Sequence, residues 1–250
     1  MGAAPPFGAD CGIVPMRPRP EPMPAIPEAL RLAAGANPPA RPWGHLRRHP
    51  ASEPALAELG RALLEAATGR PGAHASLAVG LAAGSDGGVL PAEAAMAAPA
   101  WLAALASGRR AAALVAAVAA SARGWAAMTG RPPRRMTARL LVGPSPTWRE
   151  PHFDDTVPGT VVVTLAGPTT WAYEPLTGRV LGALPLIPVC LPGRRARPGR
   201  PSEGGLLHGF DGREPRAALI CRPKLPGDAA TPPGARPLDF DPAAAAALLA

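Results

Sequence analysis

The chain has 250 residues and a mass of 25.4 kDa, enough for one decorated domain or two small ones with a real core. Hydrophobic residues make up 47%, which excludes wholesale disorder, and aromatics only 4%, so the core must come from Ala, Leu and Val with a few Trp. The net charge of +8 does not by itself single out nucleic acid or an anionic membrane, because the arginines are scattered or sit in Pro-rich loops without interleaved aromatics.

The first 20 residues, MGAAPPFGADCGIVPMRPRP, show no basic stretch followed by an apolar one, so no signal peptide is expected. Cys11, Cys190 and Cys221 stand at wide spacings with no CxxC pair, which points to a reducing, cytoplasmic setting without a disulfide framework. Residues 1–50 are dominated by proline and read as an extended arm with one short helix over 27–36. His45 and His49 are spaced to chelate a metal on a helix. No third ligand is near and Pro50 ends the segment, so a solvated basic turn is the simpler reading.

Residues 51–135 read as a helical region. Ser52 precedes EPALAELGRALLEAATG, whose Leu56, Leu59, Leu63 and Leu64 recur at helical spacing, and Gly69 is placed to end that helix. SLAVGLAAGSDGGVL is open between a strand and a loop with a turn at Ser85-Asp86-Gly87. PAEAAMAAPAWLAALASG is expected to begin a second helix, interrupted at Pro99. RRAAALVAAVAASARGWAAMTG is the clearest helix. Its uncharged run over 111–122 is too short to span a bilayer, which needs ~20 residues. GSDGG lacks the GK[ST] ending of a phosphate loop.

The pattern changes over 136–225. Short apolar runs separated by Gly and Pro predict strands at 136–143, 150–157, 159–167, 169–175, 184–192, 204–210 and 216–223, as in an antiparallel sandwich or barrel. Residues 226–250 form a Pro/Ala-rich tail ending in a helical turn at PAAAAALL.

The chemistry lies in this second half. His152 and Asp154 are two apart, so on a strand they project to the same face. His208 arrives on another predicted strand. Two histidines and a carboxylate in the order HxD…H make a facial triad with open positions, the arrangement of non-haem Fe(II) oxygenases. A bulge would put Asp155 in place of Asp154. Double-stranded β-helix oxygenases that use 2-oxoglutarate carry a basic residue soon after the last histidine, and a guanidinium fork suits a carboxylate. Arg216 opens the next predicted strand and is preferred. Arg213, in the connecting turn, and Arg222 are the other candidates.

REPHFDD, TVVVTLAGPTTWAYEP and PGRPSEGGLLHGFDGREPRAALICRP together resemble the bacterial domain-of-unknown-function family 1826. That family pairs an HxD segment with a Trp-containing strand and a final His followed by an Arg-led strand. GWAAMTGRPPRRMTARLLVG fits its helix and strand before the motif, so the resemblance covers roughly 105–223. Three positions depart from its pattern. Arg149 stands near the family's Cys, Gly167-Pro168-Thr169-Thr170 replaces Gly-Pro-Gly-Thr, and Gly209-Phe210 follows the final His. The resemblance strengthens His152, Asp154 and His208 as a site and brings no reaction with it.

Trp171 and Tyr173 alternate on one face and read as core more than as a pocket mouth. Trp148, near His152, is placed either to wall the site or to plug the barrel end. Ser145 and Ser202 lack a GxSxG elbow, and Cys190 reads as a small buried hydrophobe. The expectation is therefore an α+β protein: a double-stranded β-helix, cupin-like, over 136–225, with N-terminal helices packed on it. The expected function is an Fe(II)- and 2-oxoglutarate-dependent oxygenase acting on a small molecule or peptide, with His152, Asp154 and His208 on iron and Arg216 or Arg213 on the cosubstrate. Alternatives are a Zn-binding cupin-like protein without oxidative chemistry and an adaptor that binds through its arm.

Overall fold

The computed structural model describes residues 44–45, 53–83, 89–129, 133–143, 159–173, 180–183, 189–192, 207–209, 214–224 and 229–249. In chain order the elements are β1 (Gly44–His45), α1 (Pro54–Ala67), β2 (Ala73–Ala83), β3 (Val89–Ala97), α2 (Ala100–Leu105), α3 (Gly108–Thr129) and β4 (Arg135–Gly143). There follow β5 (Gly159–Ala166), β6 (Trp171–Tyr173), β7 (Val180–Ala183), β8 (Val189–Pro192), β9 (Leu207–Gly209), β10 (Arg216–Pro223), β11 (Arg236–Pro237) and α4 (Pro242–Ala247). The architecture is mixed α+β.

The large sheet is antiparallel throughout, in the order β1-β8-β5-β10-β4-β2-β3-β11. Six strands form its body. The two-residue strands β1 and β11 stand at its edges, and β11 covers only the end of β3 at Ala95 and Met96. A second antiparallel sheet has the order β7-β6-β9.

Helices cover one face of the large sheet. α1 starts with Pro54 in its first turn, where a missing N–H costs nothing, and buries Leu56, Leu59 and Leu63 along one stripe. Each of those leucines contributes roughly 1.5–3 kcal/mol by burial. α3 is apolar on every side over 111–122, and every residue of that run is buried. Its alanines let it lie close against the strands, α1 and α4. The Oγ of Ser121, inside this helix, donates to the Ala117 carbonyl at 2.8 Å. The strand residues facing α1 and α3 are Leu77, Val79, Met136, Leu140, Val161, Val163 and Leu219.

The tail is docked. The Asp241 carboxylate caps α4 by accepting from the Ala243 N–H at 2.9 Å, Ala245 and Leu249 pack on α3, and Arg123 of α3 donates to the Leu249 carbonyl at 2.9 Å.

Several expectations change. PAEAAMA, expected to begin a helix, is strand β3, and the helix starts only at Ala100, after Pro99. The ambiguous SLAVGLAA segment is strand β2, so the region read as helical contributes a hairpin to the large sheet. Ala, Glu and Met favour helix locally, but pairing with β2 along the strand, and with β11 at Ala95 and Met96, outweighs that preference. β7 falls where no strand was expected. His45 lies in a strand paired with β8, not in a helix, while His49 and the turn at 85–87 lie outside the described residues. No helix among the described residues is long and apolar enough to cross a membrane.

Candidate functional site

The site is built where β10 begins. Ala217, Leu219 and Cys221 of β10 point into the helix-side core. By alternation, Arg216, Ala218, Ile220 and Arg222 point to the other face of the large sheet. Arg216 is 5% exposed there. Its guanidinium donates to Thr170 Oγ1 at 3.1 Å, and Thr170 is the residue immediately before β6. One hydrogen bond thus joins the large sheet to the small one.

His208 stands on the same small sheet. It lies on β9, is 6% exposed, and pairs with Ala172 of β6, two residues beyond Thr170. Cross-strand partners share a face, as do residues two apart, so His208 and Thr170 occupy the same side of the small sheet. Among the described residues, five polar or charged ones are buried: Ser121, Thr160, Thr170, His208 and Arg216. Two of the five, Thr170 and Arg216, are joined by that hydrogen bond, and His208 lies on the strand paired with β6. Thr160 pairs with Leu191 at the opposite end of β5, and Ser121 is within α3.

Burying a charge is costly, and the guanidinium registers it: desolvation pushes Arg216 down to about 10. A cation held at such a place, in contact with a hydroxyl, is suited to a carboxylate or another planar anion.

The local backbone is shaped to hold it. The β5–β10 ladder slips at Ala217/Ala218, and a second irregularity interrupts the β6–β7 ladder at Ala172/Tyr173. Such bulges re-aim side chains beside functional sites. Gly167 turns the chain from β5 toward β6 with φ +82°. A Cβ there would come within 2.6 Å of the Pro215 carbonyl oxygen and 2.9 Å of Arg216 Cα. This turn therefore rests directly on the backbone that carries Arg216.

The structure sets Arg216 against Thr170, and His208 on the strand paired with β6. Arg222 lies six residues further along β10, about 20 Å away, half-buried, donating to the Pro223 carbonyl at 3.5 Å; it belongs to a different part of the sheet. His152, Asp154, Asp155, Arg213, Trp148, Ser145 and Ser202 lie outside the described residues. Trp171 is buried, in line with a core role. Cys190 lies on β8. Among the described residues no group of three His, Cys, Asp or Glu could hold a metal ion. Thr170 and Gly167 are the members that sequence reasoning passed over. Both stand in the GPTT run already singled out, but nothing in the sequence ties that run to Arg216. No protein-family model matches the chain, and no curated protein matches it.

Proposed function

We propose that the chain is an Fe(II)- and 2-oxoglutarate-dependent oxygenase built on a double-stranded β-helix, and a divergent relative of the domain-of-unknown-function family 1826. An eight-stranded jelly roll can be drawn as a long hairpin, with pairs 1–8, 2–7, 3–6 and 4–5, wrapped so that 8 meets 3 and 7 meets 4. Let β4 be strand 1, and β5 to β10 be strands 3 to 8. Pairs 1–8, 3–6 and 4–5 are then β4–β10, β5–β8 and β6–β7, and the wrapping contacts are β10–β5 and β9–β6; all five are present. His152 and Asp154 stand in the sequence between β4 and β5, outside the described residues. In this scheme strand 7 is β9, which carries His208.

The observation that carries the functional reading is Arg216. It opens the last strand of that scheme, its side chain is buried on the inner face, and it meets the small sheet at Thr170 beside His208. Two histidines and a carboxylate suit Zn as well as Fe(II), so the ligand set alone does not select the metal. A buried guanidinium next to that set favours a ligand with its own carboxylate. Iron and 2-oxoglutarate, when bound, supply oxidation of a C–H bond by dioxygen with loss of CO2 from the keto acid. His152, Asp154 and His208 would hold the metal. Arg216 would bind the far carboxylate of the cosubstrate, Thr170 would fix the guanidinium, and the surrounding apolar walls would exclude water.

The test is an anaerobic titration of the apo-protein with Fe(II) and then 2-oxoglutarate, followed by visible absorbance. The expected result is a metal-to-ligand charge-transfer band that is lost in His208→Ala and needs far more 2-oxoglutarate in Arg216→Ala. Stoichiometric Zn binding without the band would refute the oxygenase and leave a metal-binding protein. Neither metal nor band would refute the site.

A further inference from the structure

The segment carrying β11 and α4 lies against β3 and α3. Of residues 229–249 only Ala245 and Leu249 are buried; the rest are half-buried or exposed. What the segment covers is the reverse. Ala112, Ala116, Ala119 and Ala120 of α3 are at most 2% exposed where Ala245 and Leu249 pack on them, with Leu81 and Leu90 alongside. Its polar ties run through carbonyl oxygens: the Leu238 N–H donates to Ala94 at 2.9 Å, and Arg123 donates to Leu249 at 2.9 Å.

The chain enters this seat through one tight turn. The Ala235 N–H donates to the Pro232 carbonyl at 3.0 Å, with Pro233 and Gly234 between them. Gly234 has φ +73°, as the third residue of a type II turn requires. Before the turn the chain is tied to the sheet, because Arg135 of β4 donates to the Ala230 carbonyl at 2.9 Å. A hinge at 232–235 therefore frees β11 and α4 together and leaves β4 and β10 in place.

We propose that residues 236–249 form an exchangeable strap, and that the partner its seat on α3 and β3 fits is the same segment of a second copy of this chain. In a two-fold pair each strap lies in the other copy's seat. Every contact between strap and seat is then remade, so these contacts cancel between monomer and pair. The balance is left to the hinge and to the entropy of association. The closed turn needs a residue that occupies the left-handed region freely, and glycine does. Thr231 and Pro232, each followed by proline, favour extended chain in either arrangement. Opened out, residues 231–235 reach about 17 Å, which carries the strap away from its own seat.

The experiment is sedimentation equilibrium of the full chain after refolding at a series of protein concentrations. The wild type should be mainly monomer, with a dimer that grows with the concentration at refolding. Gly234→Ala penalises the closed turn through its backbone alone, because a Cβ there would meet nothing within 4 Å. Both hinges of the pair are relieved of that cost, so the dimerisation constant should exceed the wild type's by at least about 20-fold. Gly69→Ala carries the same backbone cost away from the strap and should associate as the wild type does. Gly234→Ala combined with Ala245→Asp should be monomeric with its sheet intact by circular dichroism, since a charge in the seat expels the strap in either arrangement. Equal association of Gly234→Ala and the wild type overturns the proposal. So does a dimer that survives Ala245→Asp, which would place the interface elsewhere.

Discussion

Replacing Gly167 by alanine separates two costs that are usually confounded. The first is conformational. Gly167 has φ +82°, and placing a Cβ in that region costs roughly 1–2 kcal/mol. The second is steric. The new Cβ would stand 2.6 Å from the Pro215 carbonyl oxygen, so the start of β10 must move by about 0.8 Å to reach ordinary contact at 3.4 Å. Overpacking of this kind costs about 1–3 kcal/mol. Gly69 supplies the control. Its φ is +72°, but a Cβ there would meet nothing within 4 Å, so Gly69→Ala should show the conformational cost alone. Urea denaturation of both variants should therefore place Gly167→Ala about 1–3 kcal/mol below Gly69→Ala. Because the displaced backbone carries Arg216, Gly167→Ala should also weaken the proposed 2-oxoglutarate binding, while Gly69→Ala should not. Equal losses of stability in the two variants would refute the close approach of the turn to Arg216.

Two further outcomes follow from buried titratable groups. Arg216→Met should raise stability while abolishing the proposed 2-oxoglutarate binding, since the drop from the ordinary guanidinium value to about 10 corresponds to ~3 kcal/mol against the charged form. The folded-state value is the lower one, so this penalty is fully present below about pH 10 and is relieved as pH rises from there toward the ordinary guanidinium value. The gain in Arg216→Met, read by denaturant titration, should accordingly be constant from pH 6 to pH 9, and a loss of stability would show that the cation is well compensated. Cys221 behaves in the opposite sense: burial pushes its thiol up from 9.0 to about 12, against the lesser, lowering effect of a hydrogen bond with Ser121. Its contribution is present below pH 9 and is lost as pH rises toward 12, with a slope approaching ~1.4 kcal/mol per pH unit. Cys221→Val should flatten that stretch of the stability curve. In the native wild-type protein, mass spectrometry should find Cys221 unmodified by iodoacetamide until denaturant is added.

The local sequence determined those elements whose apolar pattern matches one period throughout. The strand expected over 216–223 is β10 to the residue, because its run alternates between two buried faces and is bounded by Pro215 and Pro223. α3 was legible for a related reason: an alanine-rich run of that length favours only helix. The sequence also marked Arg216 and His208 as a pair worth testing. Tertiary structure decided the rest. The segment over 89–97 carries helix-favouring residues, and only pairing with β2 and β11 makes it a strand. Thr170 lies 46 residues before Arg216, and nothing local to either predicts their hydrogen bond. Gly167 looks like an ordinary turn glycine until the start of β10 is seen lying against it. Periodicity reports which face of an element is apolar. Which elements face one another follows from the order in which strands pair, and that order sets a buried cation against a hydroxyl, with an imidazole on the adjoining strand.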